Sequence, residues 1–173
     1  NELTDEEWTA IQQQIESTLD AFVAFRTQEG QALQQMFNTK LDEVIDLLAQ
    51  VQQFESGRVD KIRERLEQNL NLLAEKTKQQ IDANRLEQEM IYYLEKLDIT
   101  EEKVRLTNHV RYFREVMDAE GTGVGKKLGF IAQEMGREIN TLGSKSNHSE
   151  MQIIVVKMKD ILEQIKEQVL NVL

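Results

Sequence analysis

The feature that most constrains this fold is the absence of proline from a chain of 173 residues. Proline fixes φ and removes a backbone donor, so it is common in loops and is excluded from helix interiors. Its absence over such a length favours long helices joined by short turns. Charged, amide and aliphatic residues dominate the composition, aromatic residues make up 6%, and β-branched residues rarely alternate with polar ones. The sequence therefore predicts an all-α fold.

The first third of the chain predicts one long helix. Thr4 and Glu7 have the spacing of a capping box, and apolar residues follow at spacings of 3, 4, 4 and 3. The same periodicity resumes after Gly30 and continues to Val51. A helix of about 48 residues is long for a globular protein and suits a coiled-coil-like arm. A bend or break at Gly30 is the alternative. The stripe begins with Trp8, Ile11, Ile15, Leu19 and Phe22.

The remainder of the chain predicts further helices. Ser56 and Gly57 predict a turn, after which a second helix is expected from about 58 to 97 and a third from about 99 to 118. Because the first two helices match in length and in apolar periodicity, they are expected to form an antiparallel hairpin. We therefore expect a long hairpin or arm over residues 1–83, followed by a smaller helical bundle over residues 84–173.

Charge is distributed unevenly along the chain. The net charge of −10 argues against general affinity for nucleic acids. However, residues 1–53 carry −8, whereas residues 54–97 and residues 98–173 carry −1 each. The last two-thirds of the chain therefore do not exclude a polyanionic partner.

Other counts limit the location and the chemistry. The chain has no cysteine and two histidines, which excludes disulfides and thiolate metal sites and disfavours a histidine-rich zinc site. No apolar run approaches the roughly 18 residues of a membrane helix, and residues 1–30 show no secretory signal. A cytoplasmic protein without a membrane partner is expected. The chain begins with Asn1 rather than methionine, which leaves open that it is a fragment.

The least generic stretch lies between Gly123 and Glu150. Its apolar residues recur at spacings of 3, 4, 4 and 3, which predicts a helix with one apolar face. Glu134 and Glu138 fall on the flank of this face, and Arg137 lies roughly opposite it. This combination of acidic and basic side chains beside an apolar face is unusual for an ordinary surface helix. The apolar residues are Leu128, Ile131, Met135, Ile139 and Leu142.

Three predicted helices place mixed polar groups beside their apolar stripes. If these groups converge, their carboxylates can bind Mg²⁺ or Mn²⁺, their guanidinium groups can bind phosphate, and an imidazole can transfer protons. That set suits metal-dependent cleavage of a phosphodiester. Solvated ion pairs and a packing histidine are the alternative interpretation, which predicts an interaction or oligomerisation protein. The groups are Arg85 with Glu89, Glu102 with Arg105 and His109, and Glu134 with Arg137 and Glu138.

Long motifs in the second half of the chain resemble a known family. Several motifs closely resemble the carboxy-terminal domain of the YicC family. They are NRLEQE at 84–89, DITEE at 98–102 with Arg105, Leu106 and His109, GKKL at 125–128, QEM at 133–135, REINTLGSK at 137–145 and EQV at 167–169. The resemblance covers about residues 84–173, with a weaker extension to Arg26, Glu29 and Gly30. The resemblance implies a bacterial, stress-induced protein that is a metal-dependent endoribonuclease. It also implies a ring-like homo-oligomer whose helical carboxy-terminal parts close over RNA.

The resemblance implies RNA and further copies of the chain as partners, with neither DNA nor a membrane, and Mg²⁺ or Mn²⁺ as cofactor. The sequence departs from the family in two ways. The family's sheet-containing amino-terminal domain is absent from this chain, and Gly129 and Gly136 stand where many members carry an acid and an asparagine.

On this basis we expect an endoribonuclease, and a non-catalytic helical scaffold whose flanking charges fix subunit register is the alternative. His109 is the expected proton-transfer group, with Glu102 and Glu138 as catalytic carboxylates. The expected metal ligands are Glu134, Glu138 and Glu102, and the residues expected to bind RNA phosphates are Arg85, Arg105, Arg137, Asn140 and Lys145.

Overall fold

The computed structural model describes residues 4–77, 83–119 and 123–172, and within these ranges it contains helices and no strand. The predicted all-α fold class is therefore confirmed. Over the same ranges every helix is too short or too polar to cross a membrane. The helices are α1 (Asp5–Gln52), α2 (Ser56–Thr77), α3 (Ala83–Leu97), α4 (Thr100–Met117), α5 (Val124–Lys145) and α6 (Ser149–Val169).

Helix α1 is continuous through Gly30, as the first interpretation predicted. The predicted capping box is formed at its start. The backbone N–H of Thr4 donates to Glu7 Oε2 at 2.9 Å, and the N–H of Glu7 donates to Thr4 Oγ1 at 3.3 Å. The bond from the Thr4 backbone, followed by the bond from its hydroxyl, lowers the pKa of Glu7. No atom lies within 4 Å of the position that a Cβ would take at Gly30, so the helix continues there without a packing constraint.

The chain divides into two compact units, Asn1–Thr39 and Lys40–Leu173. In the first unit, the large apolar side chains from Trp8 to Phe25 are exposed. The second unit contains the hydrophobic core, which includes Leu41, Val44 and Val51 from the end of α1. The boundary predicted near residue 83 stays a prediction.

Helices α2 and α3 occupy the range in which one helix from 58 to 97 was predicted, and that prediction is wrong in its boundaries. The two helices pack against each other. Arg58 in the first turn of α2 donates from Nη2 to the carbonyl of Leu97, the last residue of α3, at 2.9 Å, so the pair is antiparallel. The sequence from Ala74 to Ala83 is polar on nearly every helical face, so a continuous helix would have no apolar face to pack there. Folding back lets the two apolar faces meet.

Helices α4, α5 and α6 form the main packed layer, with α5 in contact with both neighbours. Gly123 precedes α5 with a φ of 78°, a left-handed conformation that favours glycine. A Cβ at Gly143 would lie 2.9 Å from Val155 Cγ1, so the missing side chain lets α5 approach α6 closely. The five apolar residues predicted for α5 are all buried, and they are Leu128, Ile131, Met135, Ile139 and Leu142.

The two departures from the family pattern face α6. A Cβ at Gly136 would lie 3.2 Å from Leu162 Cδ2, and one at Gly129 would lie 3.7 Å from Val169 Cγ1. A larger side chain at either position would therefore point toward α6, away from the face that α5 presents to α4.

Candidate active site on helices α4 and α5

Glu102 and Lys145 form a buried ion pair in the second unit. Glu102 lies in the first turn of α4 and Lys145 is the last residue of α5. Because the two helices pack antiparallel, these ends meet, and Lys145 Nζ donates to Glu102 Oε1 at 2.8 Å. The Glu102 side chain is 5% exposed and the Lys145 side chain 29%. The contact is therefore a largely buried ion pair rather than a solvated surface pair.

The second oxygen of Glu102 has no such contact. Oε2 is buried and has no hydrogen-bond partner in the described part of the chain. A buried acceptor without a partner costs about 1–3 kcal/mol, and most buried polar atoms in folded proteins are paired. Oε2 is therefore a candidate ligand atom.

The turn after Lys145 is held by side-chain hydrogen bonds. The Ser146 hydroxyl donates to the carbonyl of Leu142 at 2.6 Å. Gln152 Nε2 donates to the carbonyl of Gly143 at 2.6 Å and to that of Ser146 at 2.7 Å. These bonds satisfy carbonyls at the end of α5 that the helix itself leaves free, and they give Lys145 a defined backbone position.

A second contact joins α4 and α5 at the other end of their interface, which we call the α4–α5 seam. Lys127 Nζ lies 5.1 Å from the centre of the Tyr112 ring, a cation–π distance. His109 lies between Glu102 and Tyr112 along α4, and Glu134 and Glu138 lie between Lys127 and Lys145 along α5.

Two further predicted site residues, His109 on α4 and Glu138 on α5, lie at similar positions along the helix axes of the α4–α5 seam. His109 follows Glu102 by seven residues and Glu138 precedes Lys145 by seven, and seven residues are about two helical turns or 10.5 Å. Glu138 is buried, whereas His109 is half-buried. The antiparallel packing therefore places these two residues at similar heights along α4 and α5.

The predicted phosphate-binding arginines lie on the open surface. Arg137 Nη1 contacts Glu134 Oε1 at 2.8 Å, and Arg105 contacts Glu101 one turn earlier on α4. Both arginine side chains are more than half exposed, as is usual for ion pairs that contribute about 0–1 kcal/mol. Asn140 is also exposed, and the side chain of Arg85 lies outside the described residues.

The three predicted metal carboxylates are not assembled as one ligand set. In the described ranges, no group of three or more acidic or histidine side chains lies close enough to hold a metal ion. The roles of Glu134 and Glu138 as metal ligands stay predictions. Glu102 and Lys145, which were assigned to different roles, are brought into contact from two helices, whereas the contact of Arg137 with Glu134 lies within α5.

Residues outside the predicted site add charge around Glu102. Lys103 Nζ contacts Glu55 Oε2 at 2.6 Å. The hydroxyl of Thr100, followed by its backbone N–H, lowers the pKa of Asp98, and the nearby charges of Lys145 and Lys103 lower it further. No periodic pattern could have identified Glu55, because it lies in the turn between α1 and α2 and its partner on α4 is 48 residues along the chain.

Comparison with known proteins gives consistent matches. Residues 51–173 match the family model described as endoribonuclease YicC-like, C-terminal. The chain is 33% identical over 165 residues to a curated protein of Clostridioides difficile named probable endoribonuclease YicC, a match that covers 95% of this chain and 56% of that protein. It is also 33% identical over 174 residues to the Haemophilus influenzae protein of the same name, covering 98% of this chain and 59% of that protein. The chain thus spans less than two-thirds of either relative.

Proposed function

The chain belongs to the YicC-like endoribonuclease family, and from that membership we propose that it carries an RNA-cleaving site. The proposed reaction is the metal-dependent hydrolysis of internal phosphodiester bonds in RNA. The observation that carries the proposal is the Glu102 carboxylate, which is buried between α4 and α5 with Oε1 paired and Oε2 unpaired.

The donor chemistry of Glu102 fits the proposed cofactor, Mg²⁺ or Mn²⁺. Carboxylate oxygens are the hard ligands that these ions prefer. Mg²⁺ is usually held by one or two carboxylates, with waters and substrate phosphates completing its shell. A single oriented carboxylate therefore fits better than a closed cage of side chains. Glu102 would hold the ion through Oε2. Glu138 and Glu134 precede Lys145 by seven and eleven residues on α5, which is too far along the helix for them to share that ion. When bound, the ion would activate water and stabilise negative charge on the phosphate.

Lys145 orients the carboxylate in this proposal. Its ammonium group holds Oε1 at 2.8 Å, which leaves Oε2 as the open acceptor. A charge-assisted bond of this kind is stronger than a neutral one. Lys145 also brings positive charge to the position where an RNA phosphate would lie.

Arg105 and Arg137 are suited to capture the RNA backbone. Each has an exposed carboxylate partner, and such pairs are weak enough for phosphate to replace the carboxylate. A guanidinium group can then bind phosphate through two parallel hydrogen bonds. His109 would give a proton to the leaving oxygen, since imidazole exchanges protons near neutral pH.

A non-catalytic helical scaffold is the second candidate function, and a separate observation favours it. Within the first unit, the apolar residues of α1 from Trp8 to Phe25 are between 42% and 60% exposed. An exposed stripe of this length is typical of a surface that meets another chain. Homo-oligomer formation is part of either proposal, and light scattering coupled to size-exclusion chromatography would measure it.

The test is cleavage of labelled RNA by the full-length protein with and without a chelator. We expect chelator-sensitive cleavage that Glu102→Gln abolishes and that His109→Gln lowers by about 100-fold or more. Glu115→Gln is the matched control, because Glu115 is an exposed glutamate on the same helix whose partner, Arg111, has no role in the proposed site. Circular dichroism would establish that each variant is folded.

Two outcomes would contradict the proposal in different ways. Full activity of a folded Glu102→Gln variant would remove Glu102 from the site. A wild-type protein that cleaves no RNA in the presence of Mg²⁺ or Mn²⁺ would favour the scaffold.

A further inference from the structure

We propose that Arg58 is a positioning residue for the Glu102 site. It holds the backbone of Lys145, and Lys145 in turn holds the Glu102 carboxylate. The catalytic consequence rests on the proposed function, whereas the positioning can be tested without RNA. Arg58 lies in the first turn of α2, outside the motifs that carry the family resemblance.

The guanidinium group of Arg58 joins three helices. Nη2 donates to the carbonyl of Leu97 at 2.9 Å and to the carbonyl of Lys145 at 3.0 Å. Nη1 lies 3.8 Å from Met151 Sδ. Arg58 is 7% exposed. It therefore connects the end of α3, the end of α5 and the start of α6 from a buried position.

Helix electrostatics explain why a cation is stable at this place. The last carbonyls of a helix have no partner within it, and the carboxyl end of a helix carries partial negative charge. Arg58 meets the last residue of both α3 and α5. Nη2 donates to both carbonyls while Nη1 faces Met151 Sδ, and a single lysine ammonium on a flexible stem matches this pair of planar nitrogens poorly.

Two nearby carboxylates partly offset the cost of burying this charge. Burial lowers the pKa of Arg58, while the negative charges of Glu55 and Asp98 act in the opposite direction. Arginine stays protonated in proteins because its usual pKa exceeds about 12. The group is therefore a permanent cation fixed at the edge of the site.

The connection to Glu102 passes through one residue. Arg58 fixes the Lys145 carbonyl, and the Lys145 ammonium contacts Glu102 Oε1 at 2.8 Å. Loss of the guanidinium would free the last turn of α5 from α3. The long lysine stem would carry a small backbone shift to the ammonium group, and misplacement of a reacting group by about 1 Å can cost about 100-fold in rate.

Arg58 differs in this respect from Arg105 and Arg137. Those two are exposed and have solvated partners that phosphate can replace. The donors of Arg58 are directed at backbone carbonyls inside the fold. Its substitution should therefore change the rate of the chemical step rather than RNA binding.

The kinetic test uses Arg58→Lys, which keeps the charge and removes the pair of planar nitrogens. We expect kcat for RNA cleavage to fall by about 10-fold or more, with KM changed by less than about twofold. Arg63→Lys is the matched control, since Arg63 lies on the same helix and is exposed. If Arg58→Lys does not fold, Arg58→Gln replaces it, because glutamine keeps a planar donor group. A raised KM with unchanged kcat would show that Arg58 binds RNA and would overturn the proposal.

A double-mutant cycle with Lys145→Met separates positioning from a general structural role. If Arg58 acts through Lys145, the combined loss in kcat must be smaller than the product of the two single losses. Independent, multiplicative losses would overturn the proposal.

The activity-independent readout is the nitrogen NMR signal of the Lys145 ammonium group in lysine-labelled protein, assigned from its loss in Lys145→Met. We expect Arg58→Lys to shift or broaden this signal and Arg63→Lys to leave it unchanged. An unchanged signal in folded Arg58→Lys would contradict the positioning role. If the wild type cleaves no RNA, the proposed function fails, while this signal still decides the role of Arg58.

Discussion

Two apolar stripes with the same helical spacing differ in burial: the stripe of α1 is exposed and the stripe of α5 is buried. In α1, five apolar residues recur at intervals of 3, 4, 4 and 3 from Trp8 to Phe22, and in α5 five recur at the same intervals from Leu128 to Leu142. The α1 residues are between 42% and 56% exposed, whereas the α5 residues are at most 5% exposed. Identical periodicity thus marks an open face in one helix and the core in the other.

The difference lies in what surrounds each stripe. Helix α5 has glycines on its α6 side, including Gly143, which lets the neighbouring backbone approach, and it packs on α4 as well. The described residues of α1 up to and including Thr39 form a unit by themselves, and the first 53 residues carry most of the net negative charge. Periodicity predicts a helix and its apolar face, while burial depends on partners distant in sequence.

The strongest test of this contrast removes the same atoms from both stripes. Ile139→Ala should lower the free energy of unfolding by about 2–5 kcal/mol, because it leaves a cavity in the core. Ile15→Ala should change it by less than about 0.5 kcal/mol, because an exposed substitution leaves no cavity. Urea denaturation followed by circular dichroism would measure both. A loss at Ile15 comparable to that at Ile139 would show that the α1 stripe is covered in solution.

A buried and an exposed ion pair should differ in their contribution to stability in the same way as the two stripes. Lys145→Met would leave the 5% exposed carboxylate of Glu102 without its counter-charge, and we expect a loss of about 3 kcal/mol in the free energy of unfolding. Arg105→Met breaks a pair whose side chains are more than half exposed, so a loss below about 1 kcal/mol is expected. Equal losses in urea denaturation would show that Glu102 is solvated.

Sequence reasoning predicted the features that depend on neighbouring residues. The capping box at Thr4 and Glu7, the continuity of α1 through Gly30 and the buried face of α5 all follow from local spacing, and the structure confirms them. The motifs on α4 and α5 also led to the family, which the matches confirm. Local pattern and motif were sufficient for these features.

Features that depend on pairing between distant segments were not predicted. The fold-back of α3 on α2 was interpreted as one helix, because each segment alone continues the helical pattern. The contact of Arg58 with Lys145 joins residues from different helices, and no spacing rule connects them. Lys145 was assigned to phosphate because the motif places it beside a turn, while its ion pair with Glu102 requires the antiparallel packing of α4 and α5.

Alanine substitutions of one buried and one exposed glycine test the same difference in burial, with smaller expected changes in the free energy of unfolding. A Cβ at Gly143 would lie 2.9 Å from Val155 Cγ1, and this buried β-branched side chain has little freedom to move. Gly143→Ala should therefore lower the free energy of unfolding by about 1 kcal/mol net of the helix propensity that alanine adds. Gly30 has open space around it, so Gly30→Ala should raise helix stability by up to about 1 kcal/mol. Thermal unfolding would measure both, and stabilisation by Gly143→Ala would show that α5 and α6 can separate at no cost.

The smallest expected effect is a pH dependence at the start of α4. The hydroxyl of Thr100 and then its backbone N–H lower the pKa of Asp98, at bond lengths of 2.6 Å and 3.0 Å. Because the pKa is lower in the folded state, the contribution of Asp98 to stability is present above its ordinary pKa and is lost as the pH falls through the folded value. Asp98 is exposed, so solvent screening limits this contribution to at most about 0.5 kcal/mol.

Asp98→Asn removes this contribution while keeping an amide oxygen that can accept from Thr100. Unfolding free energies measured between about pH 3 and about pH 6 should show wild type and variant converging as the carboxylate becomes protonated. Glu7 is the matched position in α1, where bonds from Thr4 lower the pKa in the same way. Glu7→Gln should change only the helix content at the start of α1, because that unit carries no buried face from Trp8 to Phe25. A shift of the main unfolding transition by Glu7→Gln would show instead that the open stripe of α1 unfolds together with the core.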